Sequence, residues 1–163
     1  MKKIFVLFLF LITMSLILLN RYSQTNAQSV YPEVQAADFT LQGIDGKAIV
    51  LTDIIRQRYA LLVFWTTWCS ICEYELPLIE EFYQKNREQV EVIGIAVGES
   101  TMLIKWFLRK IKISYPVVLD SYGRVARLYS VSGVPTIVVV DKDKRILYYG
   151  HSIEEMVRKV EFR

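Results

Sequence analysis

Two cysteines three positions apart, Cys69 and Cys72, are the residues whose chemistry stands out in this sequence. They are the only cysteines of the chain, which argues against a larger disulfide framework and against a four-cysteine zinc site. Side chains at i and i+3 share one helical face, so the two thiols lie within reach of a disulfide. A thiolate in the first turn of a helix has a lowered pKa, because the free N–H groups and the helix dipole stabilise negative charge. The pair is therefore expected to be a reversible dithiol–disulfide couple.

An apolar run precedes the pair and a helical pattern follows it. Residues 60–65 are short and apolar enough for a buried strand, and apolar residues recur at helical spacing from Leu76 to Tyr83. The thiols therefore fall where a strand ends and a helix begins. We expect Cys69 to be the exposed, attacking thiolate and Cys72, one turn further, to resolve the mixed disulfide. Two inert buried cysteines and a metal-binding pair are the weaker alternatives, since two thiols lack the further ligands that zinc requires.

The rest of the sequence alternates strand and helix patterns. Ser152 and Glu155 match a capping box for the last helix. Strands with intervening helices, closing with a hairpin and a helix, indicate an α/β sandwich with a mixed central sheet. The predicted strands are 39–41, 48–51, 60–65, 90–97, 115–119, 137–140 and 146–149, and the predicted helices, besides the one after the cysteines, are 52–57, 100–110, 121–129 and 153–162.

The N-terminus has the pattern of an export signal. Lys2 and Lys3 precede an almost wholly apolar run at 4–19 and predict that the rest of the chain lies outside the cytoplasm. The run falls just below the ~17–25 residues that span a bilayer. The sequence slightly favours an uncleaved anchor over cleavage after Ala27. The expected segments are a signal peptide or signal-anchor helix at 1–27, a linker at 28–35 and one folded domain at 36–163.

The charge balance excludes one class of partner. The net charge is +3, and Lys2, Lys3 and Arg21 account for all of that excess. The remainder of the chain is balanced and carries no basic run, which argues against nucleic-acid binding.

Several motifs together carry a family resemblance. They are Phe64-Trp65-x-x-Trp68-Cys69-x-x-Cys72 with Pro77, Val134-Pro135-Thr136 before a strand, Asp38-Phe39-Thr40-Leu41 with Gly46-Lys47, Glu75, and Pro116-Val117-Val118-Leu119-Asp120. Over about residues 36–162 the chain resembles the thioredoxin superfamily, and within it the membrane-anchored TlpA/ResA-like thiol–disulfide oxidoreductases related to the cytochrome c maturation thioredoxins. The resemblance implies a thioredoxin fold, with a central mixed β-sheet flanked by helices and an added N-terminal β-hairpin.

The resemblance also implies an activity and its partners. The activity is thiol–disulfide exchange with disulfides or dithiols of exported proteins, without a bound cofactor or metal. Many relatives are reductants, and some keep the haem-attachment cysteines of apocytochrome c reduced. A reductant outside the cytoplasm needs a membrane electron donor, and the N-terminal segment would hold this chain at the same membrane.

The proline loop and one tryptophan take substrate-binding roles from the resemblance. Pro135 is expected to be in the cis form, which the resemblance supports although X–Pro bonds are cis in only ~5–6% of cases. Val134 would then offer its backbone to an extended substrate segment, as in strand addition. Trp68 is expected to pack beside Cys69 and shape the docking surface, with a core aromatic as the alternative.

One glutamate takes a catalytic role from the resemblance. Thioredoxins carry a buried acid six residues before the first cysteine, where this chain has Val63. Glu75, at i+3 from Cys72, is therefore expected to accept the proton of the resolving thiol, as general acid–base chemistry requires. A solvated glutamate on the helix surface is the alternative.

Other functions compete with a reductant. Ser70 and Ile71 between the cysteines are unusual for this branch, and a disulfide-donating oxidase of the same fold is the first alternative. A copper-binding chaperone is the second, but related copper carriers space their cysteines by three residues and add a nearby histidine. The single histidine, His151, is expected at the surface and outside the site. A thioredoxin-like peroxidase is disfavoured, because its Pro-x-x-x-Thr-x-x-Cys signature is absent.

Overall fold

A computed structural model of the chain describes residues 34–162 together with Met14. The signal or anchor segment predicted at 1–27 lies outside the described residues apart from Met14, and so does most of the linker predicted at 28–35. Among the described residues, no helix combines the length and the apolar character that crossing a membrane requires.

The described part of the chain contains seven strands and five helices. In chain order they are β1 (Thr40–Gly43), β2 (Ala48–Val50), α1 (Leu51–Ile55), β3 (Tyr59–Trp65), α2 (Ser70–Asn86), β4 (Val90–Val97), α3 (Thr101–Phe107), β5 (Val117–Asp120), α4 (Arg124–Leu128), β6 (Thr136–Val140), β7 (Ile146–Gly150) and α5 (Ile153–Lys159). Each predicted strand and helix is present, and the ends differ from the predicted ones by a few residues at most.

The strands form one mixed sheet in the order β2-β1-β5-β4-β3-β6-β7. The central strands β5, β4 and β3 are parallel. On one side β6 and β7 continue the sheet in antiparallel fashion, and on the other side the hairpin β1–β2 pairs antiparallel with β5. The predicted thioredoxin-like fold with its added N-terminal hairpin is thereby confirmed.

Helices cover both faces of the sheet, which explains why the central strands are apolar throughout. Along β3, Leu61, Val63 and Trp65 belong to one core and Leu62 and Phe64 to the other, and all five are fully buried. We call the first the α2 face, since α2, α3 and α5 pack on it, and the second the α1 face, which α1 and α4 cover. The helices contribute Leu76, Ile79, Ile104, Phe107, Ile153 and Met156 to the α2 face, and Leu51, Ile55, Val125 and Ala126 to the α1 face.

The strand register brings two distant loops together. β3 runs parallel to β4 and antiparallel to β6, and the last β3–β6 pair joins Phe64 to Thr136. The loop that follows β3 and the loop that precedes β6 therefore lie at the same edge of the sheet. Cys69 ends the first of these loops and Cys72 lies in the first turn of α2 directly after it, whereas Val134 and Pro135 are in the second loop.

Candidate active site

The cysteine pair is held at the N-terminus of α2. Cys69 is the N-cap residue, and its Sγ accepts a hydrogen bond from the backbone N–H of Cys72, with 3.1 Å between the two atoms. The two side chains form a disulfide, and their Cα atoms are 5.2 Å apart. Cys69 keeps 8% of its surface exposed, whereas Cys72 is fully buried. Cys69 is therefore the more exposed of the two, as predicted.

A carboxylate fixes the loop that leads to the cysteines. Glu99 is buried, and it accepts hydrogen bonds from the Thr67 backbone N–H, at 2.8 Å, and from the Thr67 hydroxyl. Gly98, at φ +72°, turns the chain after β4 and allows this approach. Glu99 was not among the predicted site residues. The available signal was its position, since the carboxyl ends of the parallel neighbours β3 and β4 meet at one edge of the sheet.

The proline loop lies directly against the disulfide. The Val134–Pro135 peptide bond is cis, as predicted. The Sγ of Cys69 lies 3.4 Å from the carbonyl oxygen of Val134. The Thr136 hydroxyl donates to the Gly133 carbonyl oxygen at 2.7 Å and closes the loop on itself. The structure thus brings the two predicted substrate-binding residues of this loop to the redox pair.

Glu75 is buried beneath the site. Only 6% of its surface is exposed, and its Oε2 accepts a hydrogen bond from the backbone N–H of Ile153 at 2.9 Å. The alternative of a solvated glutamate on the helix surface is therefore wrong, although Glu73 and Glu81 on the same helix do have that environment. Val63, at the position of the acid in thioredoxins, is fully buried in the apolar core of the α2 face.

The bond from Glu75 also corrects the predicted capping box. Ser152 is the N-cap residue of α5, but its side chain makes no capping hydrogen bond. Glu155 instead accepts from Lys159 and from the Tyr148 hydroxyl, and these bonds hold the pKa of Glu155 below its usual range. A long-range carboxylate satisfies the first N–H of the helix, so no local cap is needed.

Three large apolar side chains are exposed on the segment that carries the cysteines. Trp68 is 76% exposed, Ile71 60% and Tyr74 67%. Trp68 directly precedes Cys69, and Ile71 lies between the two cysteines. The alternative of Trp68 as a core aromatic is therefore wrong, whereas Trp65 is fully buried as expected.

His151 lies closer to the site than its sequence position suggested. Its side chain is exposed, as expected, but its Nδ1 is 2.7 Å from the carbonyl oxygen of Pro135. The expectation that this residue has no place near the site is therefore wrong. The contact spans the end of β7 and the start of β6, and no local pattern in the sequence indicates it. Across residues 34–162, no group of three His, Cys, Asp or Glu side chains converges as a metal site would require.

Comparisons with known proteins agree with this geometry. A family model described as the AhpC/TSA family matches residues 32–149. The thiol-disulfide oxidoreductase ResA of Bacillus thuringiensis subsp. konkukian (strain 97-27) is 32% identical over 133 residues, which cover 77% of this chain and 76% of that protein.

Two solved structures are similar over most of their length. One is described as a thiol:disulfide interchange protein DsbE from Chlorobium tepidum, with a TM-score of 0.73, 25% identity, and coverage of 80% of this chain and 96% of that one. The other is StoA from Bacillus subtilis, with a TM-score of 0.66, 25% identity, and coverage of 80% and 100%. The chain therefore belongs to the AhpC/TSA family, in which it is a thiol–disulfide oxidoreductase of the ResA and DsbE type with a thioredoxin-like fold.

Proposed function

We propose that the protein reduces disulfides of exported proteins outside the cytoplasm, with Cys69 and Cys72 as its redox pair. One observation carries the proposal: Cys69 caps α2, stays partly exposed and places its Sγ 3.4 Å from the Val134 carbonyl oxygen. The N-terminus of a long helix stabilises the thiolate of Cys69 once the pair is reduced. The neighbouring loop offers backbone groups to an extended substrate.

The first chemical step is attack by the reduced enzyme. The Cys69 thiolate forms a bond to one sulfur of the substrate disulfide, and the second substrate sulfur leaves as a thiolate that takes a proton from solvent. The product of this step is a mixed disulfide between enzyme and substrate. Cys72 does not compete for the substrate, because its side chain is fully buried.

The second step resolves the mixed disulfide. Cys72 gives its proton to Glu75 and attacks the Sγ of Cys69, which forms the enzyme disulfide again and breaks the bond from Cys69 to the substrate. The substrate sulfur leaves as a thiolate and takes a proton from solvent, so the substrate is released as a dithiol. Two electrons have then passed to the substrate. Burial of Glu75 one helical turn beyond Cys72 supports this role. Within residues 34–162, only Oε2 of Glu75 is hydrogen-bonded, to Ile153, which leaves Oε1 able to take up the proton.

The substrate would dock across the proline loop and the exposed apolar side chains. Val134 supplies backbone groups for an extended segment, and Pro135 sets the bend that presents them. Trp68, together with Ile71 and Tyr74, offers exposed apolar surface for the residues that flank the substrate disulfide.

The location and the electron source complete the proposal. The segment at 1–27 directs export and holds the domain at the outer face of the cell membrane. A membrane protein that relays electrons from the cytoplasm regenerates the dithiol, and no bound cofactor takes part. Apocytochrome c, whose haem-attachment cysteines must be reduced, is the first substrate to test.

The experiment that tests the proposal is the reduction potential of the Cys69–Cys72 couple. The full-length protein in mild detergent is equilibrated with dithiol–disulfide buffers, and thiol labelling follows its redox state. A value near or below about −270 mV supports a reductant, and a value near about −120 mV would reverse the direction to a disulfide donor. The absence of any two-electron transition would refute a redox role. Cys69→Ser serves as the control and should show no transition.

A further inference from the structure

An imidazole holds the carbonyl oxygen of the cis-proline. The Nδ1 of His151 lies 2.7 Å from the Pro135 carbonyl oxygen. A carbonyl oxygen only accepts hydrogen bonds, so Nδ1 carries the proton and donates it. The backbone pairing of β6 with β7 ends at Ile137 and Gly150. The side chain of His151 therefore supplies a donor to the proline loop beyond the end of the sheet ladder.

The same short segment also reaches the active-site helix. Two residues after His151, the backbone N–H of Ile153 donates to Glu75 at 2.9 Å. The segment thus contacts both halves of the site, the proline loop and α2. Within this segment, His151 contacts Pro135 through its side chain, whereas Ile153 contacts Glu75 through its backbone N–H. Substitution of His151 can therefore remove the first contact and leave the second in place.

We propose that His151 is a positioning residue for the protein substrate. By fixing the Pro135 carbonyl, it holds the preceding residue, Val134, in the orientation that pairs with an extended substrate segment. The proposal rests on the function proposed above, in which Val134 offers its backbone to the substrate. His151 is hydrogen-bonded to the docking loop, and among the described residues no hydrogen bond joins it to either sulfur. Its loss should therefore weaken the binding of a protein disulfide and leave the reaction of Cys69 with a small disulfide unchanged.

The test compares two disulfides and three proteins. The reduced full-length wild type, His151→Ala and His151→Asn are each mixed with an unfolded peptide cyclised by one disulfide, and separately with 5,5′-dithiobis(2-nitrobenzoic acid). In the alanine variant we expect the half-saturating peptide concentration to rise about two- to tenfold, the range that one hydrogen bond accounts for. Its limiting rate and its rate with the small disulfide should equal those of wild type. In His151→Asn the side-chain amide nitrogen is the same number of bonds from Cβ as Nδ1 of histidine. Its N–H should therefore donate to the same carbonyl oxygen and restore wild-type binding.

Three results would overturn the inference. The first is an alanine variant that binds the peptide as wild type does. The second is an equal loss with both disulfides, which would indicate damage to the sulfur chemistry or to the fold. The third is an asparagine variant that behaves like the alanine variant. A wild-type protein that reduces neither disulfide would be a different failure, because it would remove the proposed function itself.

Discussion

Both faces of the central sheet are closely packed, but two buried aromatic donors without a hydrogen-bond partner among the described residues lie on the α2 face. On the α1 face, the hydroxyl of Tyr129 donates to the Ala37 carbonyl oxygen at 2.8 Å. On the α2 face, the hydroxyl of Tyr115 and the indole N–H of Trp65 have no hydrogen-bond partner among the described residues. An unpaired buried donor typically costs about 1–3 kcal/mol. The α2 face therefore contains two polar groups whose burial without a partner reduces stability.

Aromatic packing is the physical reason for the unpaired groups. A Cβ at Gly94 on β4 would come within 3.2 Å of the Trp65 Nε1 and within 3.2 Å of the Tyr115 ring. The two rings fill the space that this glycine leaves open, and their polar atoms face apolar neighbours. The disulfide and Glu75 are buried on the same face. The redox pair and Glu75 thus belong to one face of the sheet, and the following substitutions test whether this division between the faces extends to activity.

The largest effect is expected from the cysteines. Cys69→Ser should lower the rate of disulfide reduction by about 10³-fold or more, because an alcohol replaces the attacking thiolate. Cys72→Ser should instead trap the mixed disulfide with the substrate, which non-reducing electrophoresis and mass spectrometry detect. Ser70→Ala, an exposed position between the two cysteines, is the matched control and should retain activity. Substantial activity in the Cys69→Ser protein would show that the reaction does not depend on this pair.

A leucine on the opposite face should affect stability alone. Leu62 is fully buried on the α1 face, so Leu62→Ala should lower the free energy of unfolding by about 2–5 kcal/mol, measured by denaturant titration. The exchange rate of the folded variant should stay at the wild-type value. Leu61→Ala, at the neighbouring position on the α2 face, is compared with Leu62→Ala in both measurements, the free energy of unfolding and the exchange rate. The division between the faces fails if Leu62→Ala slows exchange under conditions in which the variant is folded.

Removal of the buried carboxylate should slow the resolving step. Glu75→Gln keeps an acceptor for the N–H of Ile153 but cannot take up a proton from Cys72, so resolution of the mixed disulfide should slow about a hundredfold. Rapid mixing followed by acid quenching measures that step. Glu73→Gln, an exposed glutamate on the same helix, should react as wild type does. Equal rates for Glu75→Gln and wild type would assign Glu75 to the anchoring of α5 alone.

The smallest effects should come from two matched tyrosines. Tyr129→Phe removes a satisfied hydroxyl and should lower the free energy of unfolding by about 1 kcal/mol. Tyr115→Phe removes an unpaired hydroxyl and should leave that energy unchanged or raise it slightly. Thermal and denaturant unfolding at neutral pH measure both variants. If the two substitutions have equal costs, the contrast between the faces is wrong.

The same two tyrosines should govern unfolding in alkali. Burial raises the pKa of Tyr115, and burial with the nearby charge of Asp38 raises that of Tyr129, both from an ordinary value of 10.0. Above pH 10 the unfolded chain releases these protons while the folded chain retains them, so stability is complete below pH 10 and falls as the pH rises further. Either phenylalanine variant should reduce the difference between the unfolding free energies at neutral pH and at about pH 11. A variant with the wild-type pH dependence would contradict this assignment.

Local patterns predicted much of the site. The spacing of Cys69 and Cys72 between an apolar run and a helical pattern predicted both the disulfide and the order of exposure, since both follow from the start of one helix. The cis form of Pro135 came only through the resemblance to a family, because proline loops of either isomer look alike in a single sequence. Ser152 and Glu155 match the sequence pattern of a capping box, and Ser152 is the N-cap residue, but the capping hydrogen bond of its side chain is not formed.

The sequence by itself determined the redox pair, the order of strands and helices, and the apolar pattern that buries both faces of the sheet. These depend on residue type and on spacing within about one helical turn or one strand. Only the tertiary structure decided that Glu75 caps α5, that Glu99 holds Thr67, and that His151 binds Pro135. Each of these contacts joins elements that are neighbours only in the folded sheet. Their energies depend on burial and direction, which the fold creates and which no local spacing encodes.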